Sequence, residues 1–249
     1  MPVRQTLHGK VLVITLDREH KRNAIDPEMA TGISTALDRL DDDDDIWVGV
    51  ITGSDSVFSA GSDLKDGAQA RTDRGGEYGL IRRRRIKPLI AAVEGPALGG
   101  GFEIALACDL IVASTTARFA LPETQRGVVA TSGALFRAIR ALPIHVAKQL
   151  LITNAGLTAD RAFQLGLVNI VTEPGDALRQ ARDLAEEICQ SAPISVQQTL
   201  AAIASQFSEA DERGWEATAR AIEAVKASED MGEGINAFFE RRTPQWRGR

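Results

Sequence analysis

The amino-acid sequence predicts an α/β fold that ends in a helical region. Segments with strand patterns alternate with segments of helical period up to about residue 190. Beyond that point only helical patterns remain, and neither a repeat of about 20–50 residues nor a low-complexity linker divides the 249-residue chain. We therefore expect an α/β core over residues 1–190 and a C-terminal helical region over residues 191–249.

The strands are predicted from two kinds of pattern. Residues 10–17 alternate and are rich in β-branched side chains, which is typical of a strand. Residues 89–93 are apolar without alternation, which is typical of a strand buried on both faces. Strands are predicted at 10–17, 46–52, 89–93, 110–114 and 118–121.

The helices are predicted from their start signals and their apolar faces. Asp26 is a favourable N-cap, and Pro27 is tolerated in the first turn. The acidic run 41–45 is typical of a solvated turn, and the Asp230…Glu233 spacing is typical of a capping box. Helices are predicted at 26–40, 80–87 (an exposed helix carrying four arginines), 133–141, 143–152, 158–166, 175–190, 193–207, 208–227 and from 230 onward.

Composition and charge exclude several classes of function. A formal charge of −5 and 5% aromatic residues argue against nucleic-acid binding, which relies on basic surfaces and stacking rings. The longest apolar runs are shorter than a membrane span, and the N-terminal segment lacks a secretion signal. Cys108 and Cys189 lack the CxxC spacing of a metal or redox site. We expect a cytoplasmic protein with neither nucleic acid nor a membrane as partner, and without a metal or redox cofactor.

The stretch "GPALGGGFEIALACDL" combines three consecutive glycines with a glutamate in an apolar helix-like segment. Glycine weakens a helix, and a carboxylate in apolar surroundings is costly without a partner, so the stretch is a candidate functional site. Its register fits neither the dinucleotide fingerprint nor the P-loop. A strand, a glycine turn and a helix start would instead present bare backbone N–H groups, which can stabilise an anion developing on a carbonyl oxygen. The small-residue turn "FSAGSD" is a candidate for a second such donor.

Two carboxylates are candidates for proton transfer at this site. Glu103 falls within one turn of the predicted helix start, and Glu123 follows a strand and a proline. A pair of carboxylates in one pocket can divide the work of acid and base if their surroundings push the pKa values apart. The residues alone leave open the alternative that Glu103 is a partly exposed helix residue and Glu123 a loop acid.

At these residues the chain resembles the crotonase superfamily, also called the enoyl-CoA hydratase/isomerase family. The resemblance begins at "LDREHKRNAID" and continues through "VITGSDSVFSAGSDLKD", "KPLIAAVEGPALGGGFEIALACDLIVAS" and "ARFALPETQRG" to "EGINAFFERRTPQWRGR". It covers nearly the whole chain. It implies a crotonase-type spiral of ββα units with a C-terminal helical region that assembles homotrimers or hexamers, and an acyl-CoA thioester as substrate, with coenzyme A as part of that substrate and no separate cofactor.

The resemblance also implies roles for particular residues. The amides of Ser62 and Gly100 would polarise the thioester carbonyl, Glu103 would deprotonate water, and Glu123 would protonate C2. Ala60 and its neighbours would line the adenine and pantetheine path, and the basic segment at Arg241 and Arg242 would touch CoA. The implied substrate-binding residues are Ala60, Gly61, Asp63, Leu64, Gly99, Thr131 and Arg241.

Having both glutamates favours reversible addition of water to a 2-trans-enoyl-CoA. The segment "GVVATSGALFRA" departs from the family pattern, because Ala130 replaces a proline and the hydroxyls of Thr131 and Ser132 replace a glycine turn. Those hydroxyls suit a polar acyl tail, as in a carnitinyl-CoA dehydratase-like branch. A double-bond isomerase that uses Glu123 alone, serine acyl hydrolysis through Ser62, and an inactive acyl-CoA- or RNA-binding member remain as alternatives.

Overall fold

The structure is a computed structural model, and it describes residues 2–63 and 70–249. The strands are β1 (Val3–His8), β2 (Val11–Leu16), β3 (Val48–Thr52), β4 (Arg71–Thr72), β5 (Gly76–Glu77), β6 (Leu89–Val93), β7 (Pro96–Leu98), β8 (Leu110–Ser114), β9 (Arg118–Ala120), β10 (Leu157–Thr158) and β11 (Ile170–Thr172). The helices are α1 (Pro27–Asp42), α2 (Gly100–Leu106), α3 (Ala134–Ala141), α4 (Ile144–Thr153), α5 (Ala159–Gln164), α6 (Ala177–Ile188), α7 (Pro193–Ser205), α8 (Ser208–Lys226) and α9 (Glu229–Glu240).

The large sheet has the strand order β1–β2–β3–β6–β8–β11. Its strands run parallel except β1, which pairs antiparallel with β2 at one edge. Strands β3 and β6 are buried along their whole length, which explains their unbroken apolar sequences. One face packs against α1 and α2 in the main core. The other face packs its valines against the alanines of α6, at positions 177, 181 and 185.

A second stack of short strands runs beside the large sheet. Strand β7 pairs parallel with β9, and β9 pairs antiparallel with β10. Two isolated parallel bridges extend the stack, Ser59 with Ala97 and Ile25 with Ser62. After a strand of the large sheet the chain therefore crosses to the stack, from β6 to β7 and from β8 to β9, before it enters helical structure. This path is a spiral of ββα units, and it confirms the predicted fold class.

The C-terminal helices are attached to the core by a few aromatic and cationic contacts. The ring of Trp215 on α8 meets the ring of Phe136 on α3 with 4.8 Å between centroids, and the Arg82 guanidinium lies 3.8 Å from the Trp215 ring centroid. No residue of α7 is buried. Large apolar side chains are exposed on or beside these helices, at Ile194, Ile203, Phe207, Ile235, Phe238 and Phe239.

Most predicted helices and strands are confirmed within a few residues, but the short strands β4, β5, β7, β10 and β11 were not predicted. Three further differences have a physical reason. Residues 80–87 do not form a helix, because their arginines turn to tertiary partners: Arg83 pairs with Asp38 and Asp41, and Arg85 pairs with Asp109. The N-cap of α9 is Ser228, whose Oγ accepts from the Met231 amide, so the predicted capping box is wrong. Strand β1 was not predicted, because it lies at an edge of the sheet and its sequence VRQTLH is largely polar.

None of the helices formed by residues 2–63 and 70–249 is both long enough and apolar enough to span a membrane.

Candidate active site

The spiral places Ser62 beside Gly100. Residues 58–62 run alongside β7: the Phe58 amide donates to the Pro96 carbonyl at 3.1 Å, and the Leu98 amide donates to the Ser59 carbonyl at 2.9 Å. Ser59 pairs with Ala97, and a Cβ on Gly61 would lie 2.7 Å from the Gly100 nitrogen, so the residue before Ser62 lies directly against Gly100. The two amides that the sequence singles out therefore come from neighbouring chains at the same level of the fold.

A buried asparagine fixes the segment that carries Ser62. Asn23 is fully buried, and its Nδ2 donates to the carbonyls of Val57 and Phe58 at 3.0 and 3.2 Å. The Ser59 hydroxyl in turn donates to the Asn23 carbonyl at 2.7 Å. These hydrogen bonds satisfy main-chain groups that a neighbouring strand would otherwise pair with. Together with the bonds to β7, they hold the turn at residues 59–62 on two sides.

A glycine with left-handed backbone precedes each candidate donor. Gly61 has φ of +87° and Gly99 has φ of +53°, which L side chains rarely adopt. A Cβ on Gly61 would lie 2.7 Å from the Gly100 nitrogen, so the two segments approach too closely for any side chain there. Within residues 2–63 and 70–249, neither the Ser62 amide nor the Gly100 amide donates to a protein acceptor. Both are free to donate to a ligand oxygen.

Glu103 is held by the loop that departs from the family pattern. The residue is 2% exposed, and its Oε1 accepts hydrogen bonds from the amides of Ser132 at 2.7 Å and Ala134 at 3.0 Å. The loop residue Ser132 and the first residue of α3 thus fix the carboxyl group through their main chain. The side chain at 132 can vary without loss of these donors, which explains how an atypical loop still supports the glutamate.

Glu123 reaches the same place from the other side. It begins a single turn of 3-10 helix (Glu123–Arg126) after β9. A Cβ on Gly99 would lie 3.0 Å from Glu123 Oε1, so this carboxyl group sits over the glycine turn that precedes Gly100. Its other oxygen, Oε2, is buried and has no hydrogen-bond partner among the described residues. Glu123 is therefore less tightly held than Glu103.

Burial raises the pKa of both carboxyl groups to about 7. For Glu103 the nearby charge of Glu123 raises the pKa further, while the two amide hydrogen bonds and Arg137 lower it. The two pKa values are thus raised together rather than pushed apart. A pair of carboxyl groups that both titrate near neutrality can share one proton, with one group acting as base while the other acts as acid.

Tyr78 belongs to this site, although the sequence analysis did not find it. It follows β5, is 6% exposed, and has φ of +56°. Its hydroxyl lies 2.8 Å from Ser62 Oγ. A Cβ on Gly100 would lie 2.5 Å from Tyr78 Cζ, so the end of the ring covers that glycine. No local motif signals this position, because only the fold of residues 70–80 brings the phenol to Gly100.

The remaining predicted substrate-binding residues are not all directed at the glutamates. Ala60 is half-buried, and its amide donates to the Arg22 carbonyl at 3.0 Å. The carboxylate of Asp63 pairs with Arg18 at 2.7 Å, which ties the turn to the β2–α1 loop. Thr131 is exposed beside Ser132, and Arg241 is an exposed C-cap of α9 with φ of +55°. Leu64 lies outside the described residues.

A cleft of about 260 Å³ borders the turn that carries Glu123. It is lined by that turn and by α9, including Arg126 and Arg242. The Arg126 guanidinium stacks on the Phe238 ring at 4.8 Å, and Arg242 is paired with Glu233 and Glu240. The predicted basic segment thus borders the turn of Glu123, with the charge of Arg242 already balanced within α9.

Comparison with known proteins links this geometry to one family. The model of the enoyl-CoA hydratase/isomerase family matches residues 6–249. A carnitinyl-CoA dehydratase of Salmonella arizonae is 39% identical over 257 aligned positions, which cover 99% of this chain and 98% of that relative. The structure of a carnitinyl-CoA dehydratase from Mycobacterium avium superposes with a TM-score of 0.91 at 40% identity, and it covers 100% of this chain and 99% of that one. An enoyl-CoA hydratase from Mycobacterium tuberculosis has a TM-score of 0.81 at 39% identity with the same coverage.

Proposed function

The chain belongs to the enoyl-CoA hydratase/isomerase family of the crotonase superfamily, and on that premise we propose that it is an enoyl-CoA hydratase. The reaction adds water reversibly to a 2-trans-enoyl-CoA and gives a 3-hydroxyacyl-CoA. The observation that carries the proposal is the placement of the buried Glu103 and the half-buried Glu123 in one cluster with the unpaired amides of Ser62 and Gly100. Besides the acyl-CoA, the reaction consumes only water, which supplies both the hydroxyl at C3 and, in balance, the hydrogen at C2.

The two amides supply the electrostatic part of the proposed mechanism. When the Ser62 and Gly100 amides donate to the thioester oxygen, they withdraw electron density from the conjugated double bond and make C3 electrophilic. As the water oxygen bonds to C3, the π electrons move toward the thioester and leave an enolate, whose negative oxygen the same amides stabilise. Losing one such donor costs about 10²–10³ in rate in other enzymes.

The two glutamates divide the protons in the proposed mechanism. Glu103 accepts the proton that water loses, because the amides of Ser132 and Ala134 favour its charged form. Glu123 gives its proton to C2 of the enolate, since its buried and unpaired Oε2 favours the neutral acid. The product gains one hydroxyl at C3 and one hydrogen at C2, and proton exchange between the carboxyl groups and water restores the starting state.

A carnitinyl-CoA dehydratase-like activity is the second candidate. It is favoured by the names of two close relatives, from Salmonella arizonae and Mycobacterium avium, which align over almost the whole chain. Dehydration of a 3-hydroxyacyl-CoA is the reverse of the proposed hydration and would use the same amides and the same glutamates. The two candidates differ in the acyl group that is accepted.

We also propose that the chain assembles into a homotrimer or a hexamer of two trimers. The proposal is supported by the exposed apolar side chains of the C-terminal helices, among them Ile194, Ile203 and Phe238. Large apolar side chains exposed in one region of a protein are typical of a contact with another chain. Light scattering after size exclusion tests it, and a monomer at micromolar concentration contradicts it.

Loss of the conjugated thioester absorbance tests the proposed activity. The purified protein is mixed with crotonyl-CoA, with longer 2-enoyl-CoAs and with crotonobetainyl-CoA, and the Glu103→Gln, Glu123→Gln double variant is the control. Turnover of crotonyl-CoA that is lost in the double variant supports the hydratase. Turnover of crotonobetainyl-CoA alone supports the second candidate, and no turnover of any enoyl-CoA contradicts both.

A further inference from the structure

The phenol of Tyr78 lies against both residues that carry the proposed oxyanion donors, Ser62 and Gly100. The end of its ring covers the Cα of Gly100, and its hydroxyl is 2.8 Å from Ser62 Oγ. A thioester oxygen held by the two amides would lie about 2.7–3.1 Å from each nitrogen. The acyl carbons next to that carbonyl must therefore pass within contact distance of the phenol or displace it.

The surroundings of Tyr78 keep its hydroxyl neutral. Burial, and after it the charge of Glu103, raises the pKa of Tyr78 well above its usual range, while hydrogen bonding to Ser62 and Ser132 acts in the opposite direction. The charge of Glu123 also raises the pKa. The phenol thus lies among the residues of the proposed reaction without a charge of its own. Its ring presents an apolar surface there, and its hydroxyl forms hydrogen bonds.

The backbone around Tyr78 holds the ring in one place. Its amide donates to the Ala70 carbonyl at 2.6 Å, and the neighbouring Arg137 Nη2 donates to the Ile81 carbonyl at 2.8 Å. The residue also keeps a left-handed φ of +56°, which is a rare conformation for a bulky side chain. Glycine would adopt this conformation at lower cost, so the fold keeps a bulky ring at this position in spite of the backbone.

From these contacts, and resting on the proposed function, we propose that Tyr78 sets the length of the acyl group by closing the space beside Ser62 and Gly100. The ring leaves room for the carbons near the thioester and obstructs a longer chain on that side. Tyr78 is therefore a specificity-determining residue that selects short acyl-CoA thioesters. It takes no proton in the reaction.

The affinity for unreactive acyl-CoAs tests this role without depending on turnover. Butyryl-CoA and decanoyl-CoA are titrated calorimetrically into the wild type, Tyr78→Gly and Tyr78→Phe. Glycine is chosen because it removes the ring and also suits the left-handed φ, whereas phenylalanine keeps the ring and is the matched control. We expect the ratio of decanoyl-CoA to butyryl-CoA affinity to rise at least about 10-fold in Tyr78→Gly and to change less than about 3-fold in Tyr78→Phe.

A merely structural role would lower both affinities in parallel, and an unchanged ratio in folded Tyr78→Gly contradicts the proposal. If Tyr78→Gly does not fold, the two affinities of the wild type still test the proposal. Wild-type protein that binds decanoyl-CoA more than about 10-fold more tightly than butyryl-CoA contradicts a closed acyl site. Turnover of crotonyl-CoA by the wild type is measured separately. Its absence contradicts the proposed hydratase activity and leaves the affinity ratio as an independent result on Tyr78.

Discussion

The main-chain amide of Ser132 donates a 2.7 Å hydrogen bond to Glu103 Oε1. The bond joins the least typical loop of the chain to the residue that the proposed mechanism uses as its base. Because the donor is main chain, the hydroxyl side chains of Thr131 and Ser132 can stand where the family has a glycine turn while the carboxyl group of Glu103 stays in position. The side chains of this loop can therefore differ without moving the proposed base.

Replacing Glu103 by glutamine removes the proposed base while keeping an oxygen for the two amides. We expect kcat for crotonyl-CoA hydration to fall by about 10²–10⁴, with the affinity for butyryl-CoA nearly unchanged. Steady-state kinetics and calorimetry measure the two effects. Glu187→Gln on the exposed side of α6 is the matched control. A Glu103→Gln variant with full activity contradicts the assignment.

Glu123 is expected to control proton transfer at C2. Exchange of the C2 protons of butyryl-CoA in heavy water requires no water addition, so it isolates this step. We expect Glu123→Gln to slow the exchange by about 10² or more, and Glu103→Gln to slow it by less than about 10-fold. Proton magnetic resonance follows the exchange. The opposite order of the two variants would show that the roles are reversed.

A substitution at Gly61 tests the close approach of the two amide-bearing segments. Gly61→Ala places a Cβ about 2.7 Å from the Gly100 nitrogen, so we expect kcat to fall by about 10²–10³. Gly175→Ala is the matched control, since Gly175 has φ of +86° against +87° for Gly61 and no atom within 4 Å of the added Cβ. Both variants place alanine at the same positive φ. Equal kcat values in the two variants count against an oxyanion site at Gly100.

The pH dependence of stability follows from the raised pKa of Glu103. Its pKa is about 7 in the folded chain against 4.5 for the free side chain, so the folded state binds the proton more tightly. The contribution of Glu103 to stability is therefore full below about pH 4.5, declines as the pH rises toward 7, and stays constant above. We expect Glu103→Gln to raise Tm relative to wild type more at about pH 8 than at about pH 5. Thermal unfolding at both values measures this, and a difference of the opposite sign contradicts a buried carboxylate.

The glycine triplet and Glu103 could be singled out from the residues themselves, because each conflicts with its local surroundings, whereas the role of Glu123 was expected only from the resemblance to the family. A glycine triplet before a helix and a carboxylate among apolar residues are readable without any structure. The helix-capping pair of Asp26 and Pro27 is equally local, and the structure confirms it: Asp26 accepts from the Met29 amide at 2.8 Å. Patterns whose residues lie within a few positions of one another can therefore be recognised from the sequence alone.

Tyr78 and the arginine run could not be predicted in this way, because their partners are distant in sequence. Tyr78 meets Ser62 and Gly100 only after the turn at residues 73–79 forms. The arginines have helical propensity, yet Arg83 is almost completely buried against Asp38 and Asp41. The ion pairs of the buried Arg83 guanidinium outweigh a helix propensity of a few tenths of a kcal/mol per residue.

The identity of the product formed in isotopically labelled water tests the proposed hydration most directly. Crotonyl-CoA is incubated with the protein in heavy water enriched in the heavy oxygen isotope, and the acyl-CoA product is analysed by mass spectrometry and magnetic resonance. We predict 3-hydroxybutyryl-CoA that carries one solvent oxygen at C3 and one solvent deuterium at C2. Free CoA, a shifted double bond without solvent oxygen, or unchanged crotonyl-CoA would contradict the hydration chemistry assigned to Glu103 and Glu123.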